Sequence, residues 1–355
     1  MKVKLQSILA VCFAVLIAGC GTYNRAGLPP EQARALESKP GAAKFKPSHA
    51  LATRIMALDP EHVTEAQILE TLAQAPAPRV FNIHGGIGTA VPSMISFGQF
   101  LIGMGYPAIS VTNPSDGTYT FSCYESADMI AGIIAWYYER DGLRPMIVGH
   151  SQGGMQAIKI LYRFAGDSDD KLAVWNPLTW QEEGRYEITD PLTGRLRPVV
   201  GLQLSYVSAV GSGGPTRVFP NQWEMTGRLR DIPDSVVDFT GFCKAMDLLG
   251  GEFLGYGPAN EYHSIGTAHV RNVWLPTSYS HHSIPDAVHL SESQELRDWV
   301  NAYQPSDIPI DDDALHARFG DDANNILYAA DVWYSIKKHW VLELQRLIQA
   351  RHTTP

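Results

Sequence analysis

The sequence lacks an excess of positive charge: 28 lysines and arginines stand against 37 aspartates and glutamates, a formal net charge of −9. Such a balance offers no footprint for a phosphate backbone and argues against nucleic acid as a partner. Long apolar runs are missing too. After the stretch Ile8–Ile17, no segment approaches the ~18 consecutive apolar residues of a membrane-spanning helix. Internal repeats are absent. Gly211-Ser212-Gly213-Gly214 lacks the lysine and the spacing of a phosphate-cradling loop, so nucleotide use is not expected. Asp311-Asp312-Asp313 is an acidic run in a Pro-containing loop, a composition that is usually solvated, and no metal or other cofactor is expected. Cysteine is scarce, with four residues, and what they do depends on the compartment.

The N-terminus speaks to that compartment. Lys2 and Lys4 precede the apolar stretch, and the small residues Ala18 and Gly19 follow it, the three-part layout of a secretory signal over residues 1–19. The run Ile17-Ala18-Gly19-Cys20 resembles the bacterial lipobox, which implies cleavage before Cys20, acylation of Cys20 and a lipid-anchored protein of the bacterial envelope. Gly21 after the cysteine favours the outer membrane, and the acyl chains are then the membrane contact. Loss of residues 1–19 takes the formal charge to −11. Residues 20–50, rich in Pro, Gly, Ala, Lys and Ser, are expected to form a flexible tether, and 51–355 a single body. Cys12 leaves with the signal, so Cys123 and Cys243 remain, and in an oxidising envelope a disulfide between them is expected. Two buried free thiols are the alternative.

Along the body, strand patterns alternate with helix patterns. A helix is expected over 59–73, then strand 79–83, helix 94–104, strand 107–112, helix 124–139 and strand 145–148, with a helix running to about Phe164. This order means an α/β domain with a mostly parallel sheet covered by helices on both faces. Beyond it come an excursion over 175–197 with a hairpin at 190–194, strands over 199–210, 236–242 and 270–275, and helices over 291–303 and 324–349.

Gly149-His150-Ser151-Gln152-Gly153 fits G-x-S-x-G between an apolar strand and a helix pattern, the setting in which a serine stands exposed on a strained turn as a nucleophile. The start of a helix beneath it offers N–H groups where an oxyanion would form. Together with His84-Gly85-Gly86-Ile87-Gly88 directly after strand 79–83, the chain resembles the serine esterases and lipases of the α/β-hydrolase superfamily over roughly 79–303. That resemblance implies an α/β-hydrolase fold, an oxyanion hole from the N–H groups of Gly86 (or Ile87) and Gln152, and a triad in the order nucleophile, acid, histidine. Asp247, after strand 236–242, is then the expected acid, with Asp238 as the fallback. His281, after strand 270–275 in a His-x-x-Ile-Pro run, is the expected base, with His282 competing and His263, His269 and His289 as lesser candidates.

Residues 211–235, with Phe219, Trp223, Met225 and Leu229, lie before the penultimate strand and read equally as a lid over the site or as an ordinary connection. Two departures from the family stand out: residues 50–78 look helical where two antiparallel strands are usual, and 175–197 is a long excursion. The expected activity is hydrolysis of carboxylic esters, lipid or otherwise hydrophobic, through an acyl-enzyme on Ser151, without a cofactor. The alternatives are acyl transfer or thioester hydrolysis on the same triad, or an inactive envelope binding lipoprotein.

Overall fold

The computed structural model describes residues 27, 29–37, 39, 41–167, 171–213, 220–250, 260–306 and 310–353. Five strands form the central sheet: β1 (Val80–Ile83), β2 (Met146–His150), β3 (Leu204–Val210), β4 (Val236–Lys244) and β5 (His269–Leu275). They lie side by side in sequence order, and every pair is parallel. The principal helices are α1 (Ala90–Gly103), α2 (Ala127–Asp141), α3 (Gln152–Phe164), α4 (Gln294–Ala302) and α5 (Ile326–Thr353).

The two-residue period of the strands sorts their side chains into two cores. Val80, Met146, Val148, Tyr206 and Val210 pack with α1, α4 and α5, while Phe81, Ile147, Val207 and Ala209 pack with α2 and α3. Both faces are therefore apolar and covered, as a parallel sheet requires.

The segment that follows α1 returns to the sheet at Phe121, which bridges Ile83 in parallel on the free edge of β1. The chain thus steps one way from β1 to Phe121 and the other way to β2. The helices in these two crossovers, α1 and α2, accordingly lie on opposite faces, the arrangement that right-handed crossovers give. The loops leaving the carboxyl ends of β1 and β2 diverge here, and such a switch point opens the crevice where parallel sheets hold ligands.

Several expectations change. Residues 107–112 form no strand but a 3-10 turn, Ala108–Ser110, because the Arg79 guanidinium takes the carbonyls of Ile109 and Thr112 that a ladder would have used. The helix expected over 59–73 is broken into Pro60–His62, Glu65–Glu70 and Leu72–Gln74, since Thr64 and Gln67 make a capping box that restarts the chain as a new helix. α1 begins at Ala90 rather than at 94. Residues 50–78 hold helices and no strand, and the hairpin at 190–194 is present, joining Glu187–Thr189 to Leu196–Pro198.

The tether is corrected as well. Pro30–Glu37 is a helix, and the buried Glu37 carboxylate bridges Arg79 (2.5 Å) and Arg140. Arg351 donates to the carbonyls of Ala43 and Phe45, and Ala42 N donates to Asp141 Oδ1 at 2.9 Å. The described part of residues 29–50 is therefore a strap bound to the body by charge and hydrogen bonds. Residues 1–26, with the expected signal and Cys20, lie outside the described residues.

The expected disulfide is absent: Cys123 and Cys243 are both buried free thiols. Cys123 follows the edge segment outside β1, whereas Cys243 lies on β4. Four strand spacings of ~4.8 Å separate them, roughly 19 Å, against the ~7 Å that a disulfide tolerates between Cα atoms. Burial pushes the Cys123 thiol up to about 12, so it is also unreactive.

Candidate active site

β2 runs into α3 through Ser151, which holds a non-glycine φ of 55° and ψ of −122°. So sharp a turn brings strand, helix and the end of β1 into contact, and only glycines fit around it. A Cβ on Gly149 would lie 2.6 Å from the Gly153 carbonyl oxygen, and one on Gly153 would lie 2.1 Å from that of Ile83. Ser151 N donates to Val210 O at 2.8 Å, which pins the turn to β3. Strain of this kind persists only where the surroundings impose it.

His281 Nε2 lies 3.0 Å from Ser151 Oγ, and His281 Nδ1 lies 2.7 Å from Asp247 Oδ2. The three residues come from loops after β2, β4 and β5, separated in sequence and joined by the parallel sheet. Both His281 and Asp247 are buried. Gly250 N donates to Asp247 Oδ1 at 2.9 Å, so both carboxylate oxygens are engaged. Burial pushes the Asp247 carboxyl up, but the bond and charge of His281, the Gly250 N–H and the Lys244 charge outweigh it, and the group stands below its ordinary value. It is ionised at neutral pH and holds the Nδ1 proton of His281. Gly211, at φ 59°, forms the wall behind this pair, where a Cβ would lie 2.8 Å from His281 Cε1.

The loop carrying His281 is tied down from two helices. Ser93 of α1 donates to the His282 carbonyl, and Ser96 Oγ accepts from Ala287 N and Val288 N. Asn325, just before α5, donates to the carbonyls of Ser283 (2.8 Å) and Asp286 (3.0 Å).

On the other side of Ser151 lies the turn after β1. Gly85 packs so closely that a Cβ there would sit 2.9 Å from Ser151 Cβ, and one on Gly86 would sit 2.1 Å from Gln152 Oε1. At the start of α3, Gly154 N and Met155 N return to Ser151 O. The Gln152 N–H has no intrahelical acceptor at this position and stands beside the serine. The Tyr124 hydroxyl donates to the Gly86 carbonyl and thereby fixes the peptide plane between Gly86 and Ile87. The Gly85-Gly86 turn and Gln152 thus meet at the serine.

The alternatives lie elsewhere. Asp238 pairs with His339 (2.9 Å), Lys338 (3.2 Å) and His269 (3.4 Å) at the far end of β4. The His282 side chain is exposed, with its ring edge-on to His281, and His263 is exposed on a two-residue strand. His289 lies in the short helix Val288–Ser291. Asp311 of the acidic run caps the helix Asp312–Phe319 by accepting from Ala314 N. In the 211–235 insertion, Phe219 lies outside the described residues. Met225 and Leu229 are buried in the core beneath α2 and α3, and Glu224 pairs with Lys159 and Arg163, so this described part is anchored to α3; Trp223 stays exposed.

Tyr124 and His150 were not singled out as site residues by sequence reasoning. His150 sits in the G-x-S-x-G motif itself, but nothing in a linear pattern says where that side chain points. Comparison with family models, with curated proteins and with solved structures returns no match for this chain.

Proposed function

We propose that the protein is a serine hydrolase of the α/β-hydrolase type that cleaves carboxylic esters through an acyl-enzyme on Ser151. The observation that carries the reading is the continuous chain Ser151 Oγ, His281 Nε2, His281 Nδ1, Asp247 Oδ2, with contacts of 3.0 and 2.7 Å. His281 Nε2 takes the Ser151 proton as Oγ attacks the ester carbonyl carbon. The tetrahedral oxyanion is held by the Gln152 N–H and an N–H of the Gly86-Ile87 turn. His281 then gives its proton to the departing alcohol, which leaves the acyl group on Ser151. Water repeats the sequence, and the acid and Ser151 are released. Asp247 stays ionised throughout and stabilises the imidazolium.

Support for a hydrophobic acyl group comes from the exposed Met246, Leu248 and Leu249, which flank Asp247 on its loop, and from the exposed Tyr124 at Gly86. The reading includes attachment to a bacterial envelope through Cys20, on the N-terminal sequence alone; among the described residues no helix is long and apolar enough to cross a membrane. The test is mass spectrometry of the intact protein during turnover of p-nitrophenyl esters of graded chain length. The expected result is a transient acyl adduct on Ser151 with longer chains favoured. Turnover that persists in Ser151→Ala would refute the mechanism.

A further inference from the structure

His150 takes no part in the steps above, yet it is fully buried and touches the serine turn, the Gly85 turn and the His281 loop. We infer that His150 is a positioning residue, a neutral imidazole protonated at Nε2 that holds the main chain of His281 where its ring can reach both Ser151 and Asp247. The inference rests on the hydrolase reading above and adds to it a fourth residue.

Direction comes from the strand. Met146 and Val148 point into the core shared with α1 and α5, and the two-residue period sends His150 to the same face, where the His281 loop is moored. There His150 Nε2 lies 2.7 Å from the His281 carbonyl oxygen. A carbonyl only accepts, so Nε2 carries the proton. Nδ1 is buried and has no partner among the described residues. A second proton there would be an unsatisfied donor on a buried cation, which is costly. Burial, with a smaller contribution from the His281 charge, holds the imidazole down at about 3, so the ring is neutral over the working range of an esterase.

The other anchors of the loop act further along it, on the carbonyls of residues 282, 283 and 286 and the N–H groups of 287 and 288. Among the described residues, the bond from His150 is the one that reaches the carbonyl of His281 itself. The two rings pack with centroids 5.2 Å apart, so a movement of one is felt by the other. Gly85 leaves the space: a Cβ at that position would lie 3.2 Å from His150 Nδ1. One side chain therefore couples the nucleophile turn to the base, and a bulkier residue 85 would disturb both.

The experiment compares His150→Leu, which has no donor, with His150→Gln, whose amide N–H falls near the place of Nε2. If His281 loses its register by about 1 Å, kcat for an aryl ester and the rate of fluorophosphonate labelling should each fall about 100-fold in His150→Leu, with KM little changed. His150→Gln should recover most of that loss. Undiminished rates in His150→Leu would overturn the proposal. Equal losses in both variants would also overturn it, because shape and not the hydrogen bond would then be responsible. A measurement on the wild-type protein covers the case in which the variants fail to fold: nitrogen NMR of the imidazoles should show His150 as the Nε2–H tautomer, without titration down to about pH 5, well above its own value. An Nδ1–H tautomer would overturn the proposal. A wild type that neither labels nor hydrolyses esters would instead sink the hydrolase reading and this role with it.

Discussion

Replacing Asp247 by Asn tests the electrostatic logic of the triad at nearly constant shape. In the wild type both carboxylate oxygens accept, Oδ1 from Gly250 N at 2.9 Å and Oδ2 from His281 Nδ1 at 2.7 Å. An amide has one acceptor and one donor end, and the Gly250 N–H claims the oxygen. The NH2 group then faces His281 Nδ1, which must lose its proton to accept. His281 is driven into the Nε2–H tautomer, with the proton directed at Ser151 Oγ, and can no longer act as a base. A wrong tautomer of this kind costs about 10⁴ in kcat, or about 5.5 kcal/mol of transition-state stabilisation. The assay is steady-state hydrolysis of an activated aryl ester, with KM expected to change little because no substrate contact is removed. Fluorophosphonate labelling should slow in parallel. A loss of less than about tenfold in a folded Asp247→Asn protein would refute the assignment of Asp247.

Three further outcomes follow from the packing. Glu37→Ala leaves Arg79 and Arg140 without their shared anion and should destabilise the fold by about 3–5 kcal/mol in denaturant titration; a free tether would give no change. His150 is held at about 3 in the folded protein, against 6.5 for an ordinary imidazole, so between those values the unfolded chain binds a proton that the native state refuses. Its contribution makes stability fall with falling pH, by up to about 1.4 kcal/mol per unit, and His150→Gln should flatten that part of the curve. Asp247, whose value is depressed, adds its own loss only at lower pH, as the carboxylate protonates. Finally, a reductant should leave the melting temperature unchanged, because Cys123 and Cys243 are thiols; a downward shift would mean a disulfide.

The candidate nucleophile was legible in the sequence because its motif is local. Ser151 stands out through glycines that the strand-to-helix turn demands, and the resemblance to α/β-hydrolases, with its order of nucleophile, acid and histidine after successive strands, then pointed to Asp247 and His281. What the sequence hid depends on contacts between distant segments. Residues 107–112 have the composition of a strand, but Arg79 takes their carbonyls. Glu37 reads as an ordinary tether residue until Arg79 and Arg140 are brought to it across 42 and 103 positions. Two cysteines in one chain invite pairing until the sheet puts four strand spacings between them. His150 was visible as a motif position, and only the pleat of β2 and the return of the His281 loop reveal what it bonds.

The central claim, that Ser151 is an activated nucleophile, is tested most directly by treating the purified protein with a fluorophosphonate and sequencing the modified peptide by mass spectrometry, alongside Ser151→Ala. The account predicts one adduct, on Ser151, and none in the variant. A folded wild-type protein that stays unlabelled both with and without detergent, or an adduct that persists in Ser151→Ala, would contradict it.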